Sequence, residues 1–271
     1  MRTFVIGDIH GRRMQLGLLL GLIPRDARHD TLVLLGDYVD RGDDAPGAVA
    51  AVVELCREDT GRVVCLRGNH EQMLLDFADE GSPLWLHAGV GSRLTIEQYT
   101  RQPPPAVRSA EGLIELRQRF VESVPPAHFE FFRSLPLYYE DDYAIYVHAG
   151  LARGKHPGET EPRHLLWARD MDFFKHYMGK PCVFGHTPTP LLPLLGRIGR
   201  HGLYLSHSAI GIDTGYTHAS PLSCLQLPEF MLYQAWPDGR TATHHLTTFL
   251  PESVRAMQKR VGLIHQTPTE A

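Results

Sequence analysis

Apolar runs of three or four residues recur along the chain, and each is cut off by a polar cluster containing glycine. Phe4 to Ile6 ends at GDIHG, Leu32 to Leu35 at GDYVDRG, Val63 to Leu66 at RGNHE, Ala144 to Val147 at HAG and Cys182 to Phe184 at GHTP. Runs this short, rich in Val, Ile and Leu, read as buried strands. After the first three the spacing becomes helical. Met14, Leu18, Leu19 and Leu22 share one face, as do Val49, Val52, Val53 and Cys56, the latter behind the start signals Asp43, Asp44 and Pro46. Met73, Leu74 and Phe77 predict a third helix directly after His70 and Glu71. Strand, polar loop and helix in succession predict an α/β chain with a mainly parallel sheet, whose ligands gather in the loops at the carboxyl ends of its strands.

From about residue 80 to 136 the pattern loosens. The QPPP break at Gln102 to Pro105 and a helix over Gly112 to Val121, stopped by Pro125-Pro126, predict a mostly helical excursion forming one wall of a site. Strands return at Tyr143 to Val147, Pro181 to Phe184, Leu203 to Leu205, Ile210 to Asp213, Ser223 to Leu227 and Met231 to Ala235. Trp236-Pro237-Asp238-Gly239 reads as a hairpin turn. Beyond Pro251 only a short amphipathic stretch and a polar tail are expected, so a single domain would span 1–250 and a tail 251–271. With 271 residues, 43% apolar and 21% charged, the chain can bury a large core. Its formal charge of -4 gives no reason to expect nucleic acid or an anionic membrane as partner. No run approaches the ~20 apolar residues of a membrane span, and the opening MRTFVIGDIHG is too short in apolar residues for a signal peptide, so the cytoplasm is the expected location. Cys56, Cys65, Cys182 and Cys224 lack CxxC spacing and are expected as buried free thiols.

Five strand ends deliver Asp8 and His10, Asp37 and Asp40, Asn69 and His70, His148, and His186. A lone DxH among 16 histidines means little, but carboxylates grouped at the end of a buried sheet repel one another and lose hydration unless a cation compensates them. Two divalent metals would do so, with oxygen ligands from Asp and Asn and nitrogen ligands from His.

In these motifs, GDIHG at 7–11, GDYVDRG at 36–42, RGNHE at 67–71, HAG at 148–150 and GHTP at 185–188, the sequence resembles the calcineurin-like metallophosphoesterases. Within them it is similar to the bacterial and phage branch of the phosphoprotein phosphatases. WLHAGVGSRLTIEQY at 85–99 and LLWARD at 165–170 look like the same branch. The resemblance implies an αββα sandwich, two mixed sheets flanked by helices, and two metal ions, manganese being the usual expectation with iron and zinc also suited. It implies that Asp8 and His10 hold the first metal, that Asp37 bridges both, and that Asn69, His148 and His186 complete the second. His70 falls at the general acid, oriented by Asp40, while Arg41, Arg169 and Arg67, with Asn69, fall at phosphate-binding positions. A hydroxide shared by two metals would attack phosphorus in line, and an imidazolium would protonate the departing alkoxide.

Blander readings compete at single positions. Asp40 suits a helix N-cap, Arg169 a surface ion pair, and Arg67 a pairing with an acid. His87, His156, His164, His207 and His218 are expected not to be ligands, with His207 the one to re-examine, and the Trp85 region is expected as core. The leading expectation is a serine/threonine protein phosphatase acting on phosphorylated proteins or peptides. The alternative is a diadenosine tetraphosphate or nucleoside polyphosphate hydrolase. Asp40 and Glu71 favour the former, because the enteric symmetrical tetraphosphatases lack that acid and carry GNHD. A noncatalytic metal-binding regulator would be marked by a missing ligand or acid, and none is missing.

Overall fold

The computed structural model describes residues 1–59, 62–193, 197–198, 201–217, 219–246 and 250–263. His218 and residues 264–271 of the expected tail lie outside them. The chain runs β1 (Thr3–Ile6), α1 (Arg13–Leu22), β2 (Thr31–Leu34), α2 (Ala45–Glu58), β3 (Val63–Cys65) and α3 (Asn69–Glu80). A 3-10 turn at Pro83–Leu86 leads into α4 (Ser92–Thr100), α5 (Ala110–Ser123) and α6 (Pro126–Ser134). Then follow β4 (Tyr138–Glu140), β5 (Ile145–Val147), α7 (Pro162–Trp167), α8 (Met171–His176), β6 (Cys182–Phe184), β7 (Arg197–Ile198), β8 (Tyr204–Ser206) and β9 (Ala209–Gly211). The chain closes with β10 (Leu222–Leu227), β11 (Met231–Ala235), β12 (Thr241–His245) and α9 (Glu252–Arg260).

The strands form two six-stranded sheets, ordered β12-β11-β10-β1-β2-β3 and β4-β5-β6-β9-β8-β7. Their centres are parallel, β1 with β2 and β3, and β5 with β6 and β9. Antiparallel partners flank them, so the mainly parallel sheet read from the motif spacing is really two mixed sheets. Alternation along each strand assigns the layers, since successive side chains point to opposite faces. Val5, Val33, Leu225, Tyr146, Val183 and Ile210 meet in one cluster between the sheets. Phe4, Ile6, Leu32 and Leu34 face a second cluster containing Leu16, Val49, Val52, Leu74 and Phe77 of α1, α2 and α3. Val147, Cys182 and Phe184 face a third with Leu165, Phe173 and Phe174 of α7 and α8. Helices therefore cover both outer faces, the αββα arrangement.

Three local readings differ from the structure, and one proline signal is met as read. In α1 the buried side chains are Gln15, Leu16 and Leu19, and Met14 is exposed. The Pro125-Pro126 stop holds: α5 ends at Ser123, its C-cap Val124 is extended as a residue before proline must be, and Pro126 then opens α6, a position where proline's missing N–H is harmless. Residues 252–260 are not tail but α9, whose Val254 and Met257 enter the cluster between the sheets. The α2 N-cap is Asp44, accepting Gly47 N–H at 2.9 Å, which leaves Asp40 free of that role. All four cysteines are free; three are buried and Cys56 is half-buried, its Sγ 3.4 Å from that of Cys65.

Candidate metal centre and phosphate site

The polar clusters that end β1, β2, β3, β5 and β6 converge at one edge of the sandwich. Their backbone is unusual: His10, Asp37, Asp40, Arg41 and His186 all have positive φ, between 45° and 71°. Such residues cost roughly 1–3 kcal/mol each and persist only where surroundings over-determine them. The surroundings here are visible. Glu71, fully buried, accepts N–H groups of Asp37 and Tyr38 at 2.8 Å and of Gly68 at 3.0 Å. The Asp37 carbonyl accepts Ile9 and His10 N–H, binding the GDIHG and GDYVDRG loops together. Gly36, at φ 106°, packs so tightly on RGNHE that a Cβ would lie 2.5 Å from Gly68 N, and one on Gly68 would lie 2.1 Å from Asp37 Oδ1.

Asp37 stands at the centre. Its Oδ2 is 3.6 Å from His10 Nε2 and 3.7 Å from His70 Nε2, while Oδ1 is 3.4 Å from His148 Nε2. One carboxylate thus faces two groups of potential ligands: His10, Asp37 and His70 on one side, Asp37, His148 and His186 on the other. Asn69 Oδ1 lies 2.9 Å from His148 Nε2 and 2.8 Å from His186 Nδ1. Asp8 is beside these groups, its carboxylate accepting His186 N–H at 3.0 and 3.2 Å, and His70 stands next to His10 and Asp37 in the first of them.

The donor chemistry fits divalent cations. His10 and His148 each turn Nδ1 to a backbone carbonyl, of Val39 and Leu35, both at 2.9 Å, which leaves Nε2 with its lone pair toward Asp37. Burial holds the His10, His148 and His186 imidazoliums below the usual range, favouring the neutral form that ligates. Burial, then Asp213 and Asp37, pushes the Asp8 carboxyl well above its usual range. Burial likewise raises Asp213, itself buried at the end of β9. Asp37 shares that burial, but the surrounding imidazoles prevail and hold its carboxyl low. Three buried acids in one place are the charge pattern that a cation relieves.

His70 stands apart from the other histidines. Its Nδ1 lies 2.6 Å from Asp40 Oδ2 and its Nε2 faces Asp37. Burial and the start of α3 both disfavour an imidazolium, the helix end by roughly 0.3–1 kcal/mol. Asp37 and the bond to Asp40 outweigh them and raise the His70 pKa; a bond to a charged group is worth about 1.5–3 kcal/mol.

The arginines divide. Arg41 Nη1 is 2.9 Å from His10 Nε2, and its guanidinium lies 4.5 Å from the ring centre of Tyr216. Arg169, exposed between α7 and α8, brings Nε to 3.5 Å from His186 Nε2. Arg67 is used differently: it donates to Gln72 Oε1 and the Arg133 carbonyl, both at 2.9 Å, which gives it the role of joining α3 to α6. Among the other histidines, His207 is exposed in the turn between β8 and β9, and His156 pairs with Glu140 at 2.7 Å.

Sequence reasoning missed four residues here. Asp213 follows the apolar run Ala209 to Ile212 and precedes Thr214-Gly215, so an acid at a strand end was legible there even without the Gly-Asp pair of the motifs. Arg12 is buried and donates to the carbonyls of Asp8, Ile9 and Gly215, placing its charge among the acids. Trp85 and Thr95 bond to Asp40, and nothing in their local spacing announces it.

The profile of the calcineurin-like phosphoesterases matches residues 1–191, more than half of the chain. The chain belongs to that family. Serine/threonine-protein phosphatase 1 of Salmonella typhimurium is 39% identical to this phosphoesterase over 118 residues, covering 43% of this chain and 49% of its own. The asymmetrical bis(5'-nucleosyl)-tetraphosphatase PrpE of Oceanobacillus iheyensis is 25% identical over 264 residues, covering 84% and 90%. The chain therefore spans about half of the first relative and most of the second. A solved structure provisionally described as a diadenosine tetraphosphatase superposes with a TM-score of 0.57 at 21% identity, covering 90% of this chain and 92% of that one, a likeness of fold.

Proposed function

We propose that this phosphoesterase is a metal-dependent phosphomonoesterase of the serine/threonine protein phosphatase type, built as one catalytic domain that includes α9. The observation that carries the reading is the Asp40–His70 pair at 2.6 Å, with His70 Nε2 turned toward Asp37. Alkoxide departure from a phosphoserine is slow at neutral pH, so a positioned imidazolium is worth roughly 10²–10⁴ in rate.

Asp8, His10 and Asp37 would hold one ion, and Asp37, Asn69, His148 and His186 a second, with manganese the expected metal. When bound, the ions supply positive charge that makes water a better nucleophile and offsets charge on the phosphoryl oxygens. Arg41 stands against His10 of one ligand group and Arg169 against His186 of the other, and their planar forks suit phosphate oxygens. Water forms the new P–O bond as the ester P–O bond breaks. The His70 Nε2 proton passes to the leaving oxygen, giving an alcohol and inorganic phosphate. Asp40 keeps the ring in register through Nδ1.

Hydrolysis of nucleoside polyphosphates is the second reading, favoured by the near full-length similarity to a tetraphosphatase. A phosphate leaving group needs less proton donation. Steady-state comparison of a phosphoserine peptide with diadenosine tetraphosphate, in manganese, tests the choice. A higher kcat/KM for the peptide is expected, and the reverse order would replace the first reading with the second. In parallel, His70→Asn is expected to keep both metals and to lose most turnover of the peptide, with a smaller loss on 4-nitrophenyl phosphate. Equal losses would remove His70 as the acid.

A further inference from the structure

Asp40 is fully buried and serves more than His70. Its Oδ2 also accepts Trp85 Nε1–H at 2.9 Å, and its Oδ1 accepts the Thr95 hydroxyl at 2.7 Å. The hydroxyl oxygen in turn accepts the Asp40 N–H at 2.9 Å. With that N–H pointing in, the Thr95 proton is directed at the carboxylate. Trp85 and Thr95 both belong to the helical excursion, both are fully buried, and they are tied together: Ser92, the first residue of α4, donates its hydroxyl to the Trp85 carbonyl at 2.5 Å.

Packing alone does not explain this arrangement. The Trp85 ring sits 5.0 Å from Phe120 and 5.4 Å from Phe77, a place any large aromatic ring could fill. An indole adds an N–H that must find an acceptor when buried, and the acceptor is the carboxylate that orients His70. A carboxylate offers about four lone-pair positions. His70, Trp85 and Thr95 take three, and they fix both its rotation and its tilt. Without Trp85 and Thr95 the carboxylate is free to turn about its own axis and carry the His70 ring with it.

We infer that Trp85 and Thr95 are positioning residues for proton donation: they lock Asp40 so that His70 Nε2 stays aimed at the leaving-group oxygen. The excursion thereby acts on the chemistry as well as walling the site. This rests on the reading of His70 as the acid, so the test must separate the two.

The experiment measures kcat and KM of the manganese-loaded full chain on a phosphoserine peptide and on 4-nitrophenyl phosphate, whose leaving group departs without a proton. The variants are Trp85→Phe, Thr95→Val, Thr95→Ser and His70→Asn, each with its metal content. Trp85→Phe and Thr95→Val are expected to lower kcat on the peptide by about 10-fold or more, since misplacement by about 1 Å can cost 10²-fold. Their KM, metal content and turnover of 4-nitrophenyl phosphate should change little, and Thr95→Ser should restore the peptide rate. Equal losses on both substrates, lost metal, or no loss on the peptide would overturn the inference while His70→Asn still discriminates between them. If His70→Asn itself loses both substrates equally, the acid assignment falls and takes the inference with it. Should Trp85→Phe fail to fold, Thr95→Val and Thr95→Ser, which leave the aromatic cluster intact, decide the matter.

Discussion

Asp37 shows how much one residue can carry when its backbone is held in place. Its oxygens face separate groups of imidazoles, and its N–H is accepted by Glu71 at 2.8 Å. Asp37→Asn keeps the shape but removes the charge shared between the two groups. It is expected to lower metal content as well as activity, measured by elemental analysis of the purified variant; a full complement of two ions would refute the bridging role. Glu71 is a different kind of acid. Among the described residues its bonds are to backbone N–H groups of the GDYVDRG and RGNHE loops, and burial, then Asp37, pushes its pKa up to about 7. Glu71→Gln places an N–H where an acceptor is needed, so a loss of about 2–3 kcal/mol is expected in urea unfolding. A change under about 0.5 kcal/mol would mean that the loops hold themselves.

At the scale of elements, strand ends aim the chemistry, and the ladders between strands with the helices packed outside them hold those ends in place. The start of β1 is tied to the start of β2 through Asp30, which accepts Arg2 N–H at 2.8 Å, Arg2 Nη2 at 2.5 Å and Asp26 N–H at 2.9 Å. Burial works against the Asp30 charge, but these bonds win and hold its carboxyl below the usual value. A depressed carboxyl contributes its full stability above the unfolded pKa, ~3.9, and loses it as pH falls through the folded value. Asp30→Asn is therefore expected to cost about 1–3 kcal/mol at pH 7, with the difference from the parent shrinking below pH ~4. Unfolding curves at both pH values check this, and a difference independent of pH would show that packing, not charge, is at stake.

For the whole molecule, two mixed sheets share an apolar interior while their strand ends hold buried acids whose mutual repulsion a cation would relieve. Stripping metal with a chelator is expected to lower the thermal midpoint, and resupplying manganese to restore it. At 100 times Kd a ligand adds about 2.7 kcal/mol, which in a chain of this size is roughly 5–10 °C. An unchanged midpoint would argue that the acids are compensated by the protein alone. No helix among the described residues is long and apolar enough to cross a membrane. Much of this was written in the sequence. Short apolar runs ending at glycine mark strands because burial on both faces leaves no alternation to read, and the charge at their ends marks a site because buried charge must be compensated. The sequence therefore determined the strands β1, β2, β3, β5 and β6, the helices after the first three, and the candidate ligands. Only the tertiary structure decided that the strands divide between two sheets, that α9 closes the space between them, that Arg67 joins helices, and that Trp85 and Thr95 reach Asp40. Those facts depend on contacts between residues distant in the chain, such as Asp40 and Thr95, and the pattern along a chain records which face a side chain takes but not which partner it meets there.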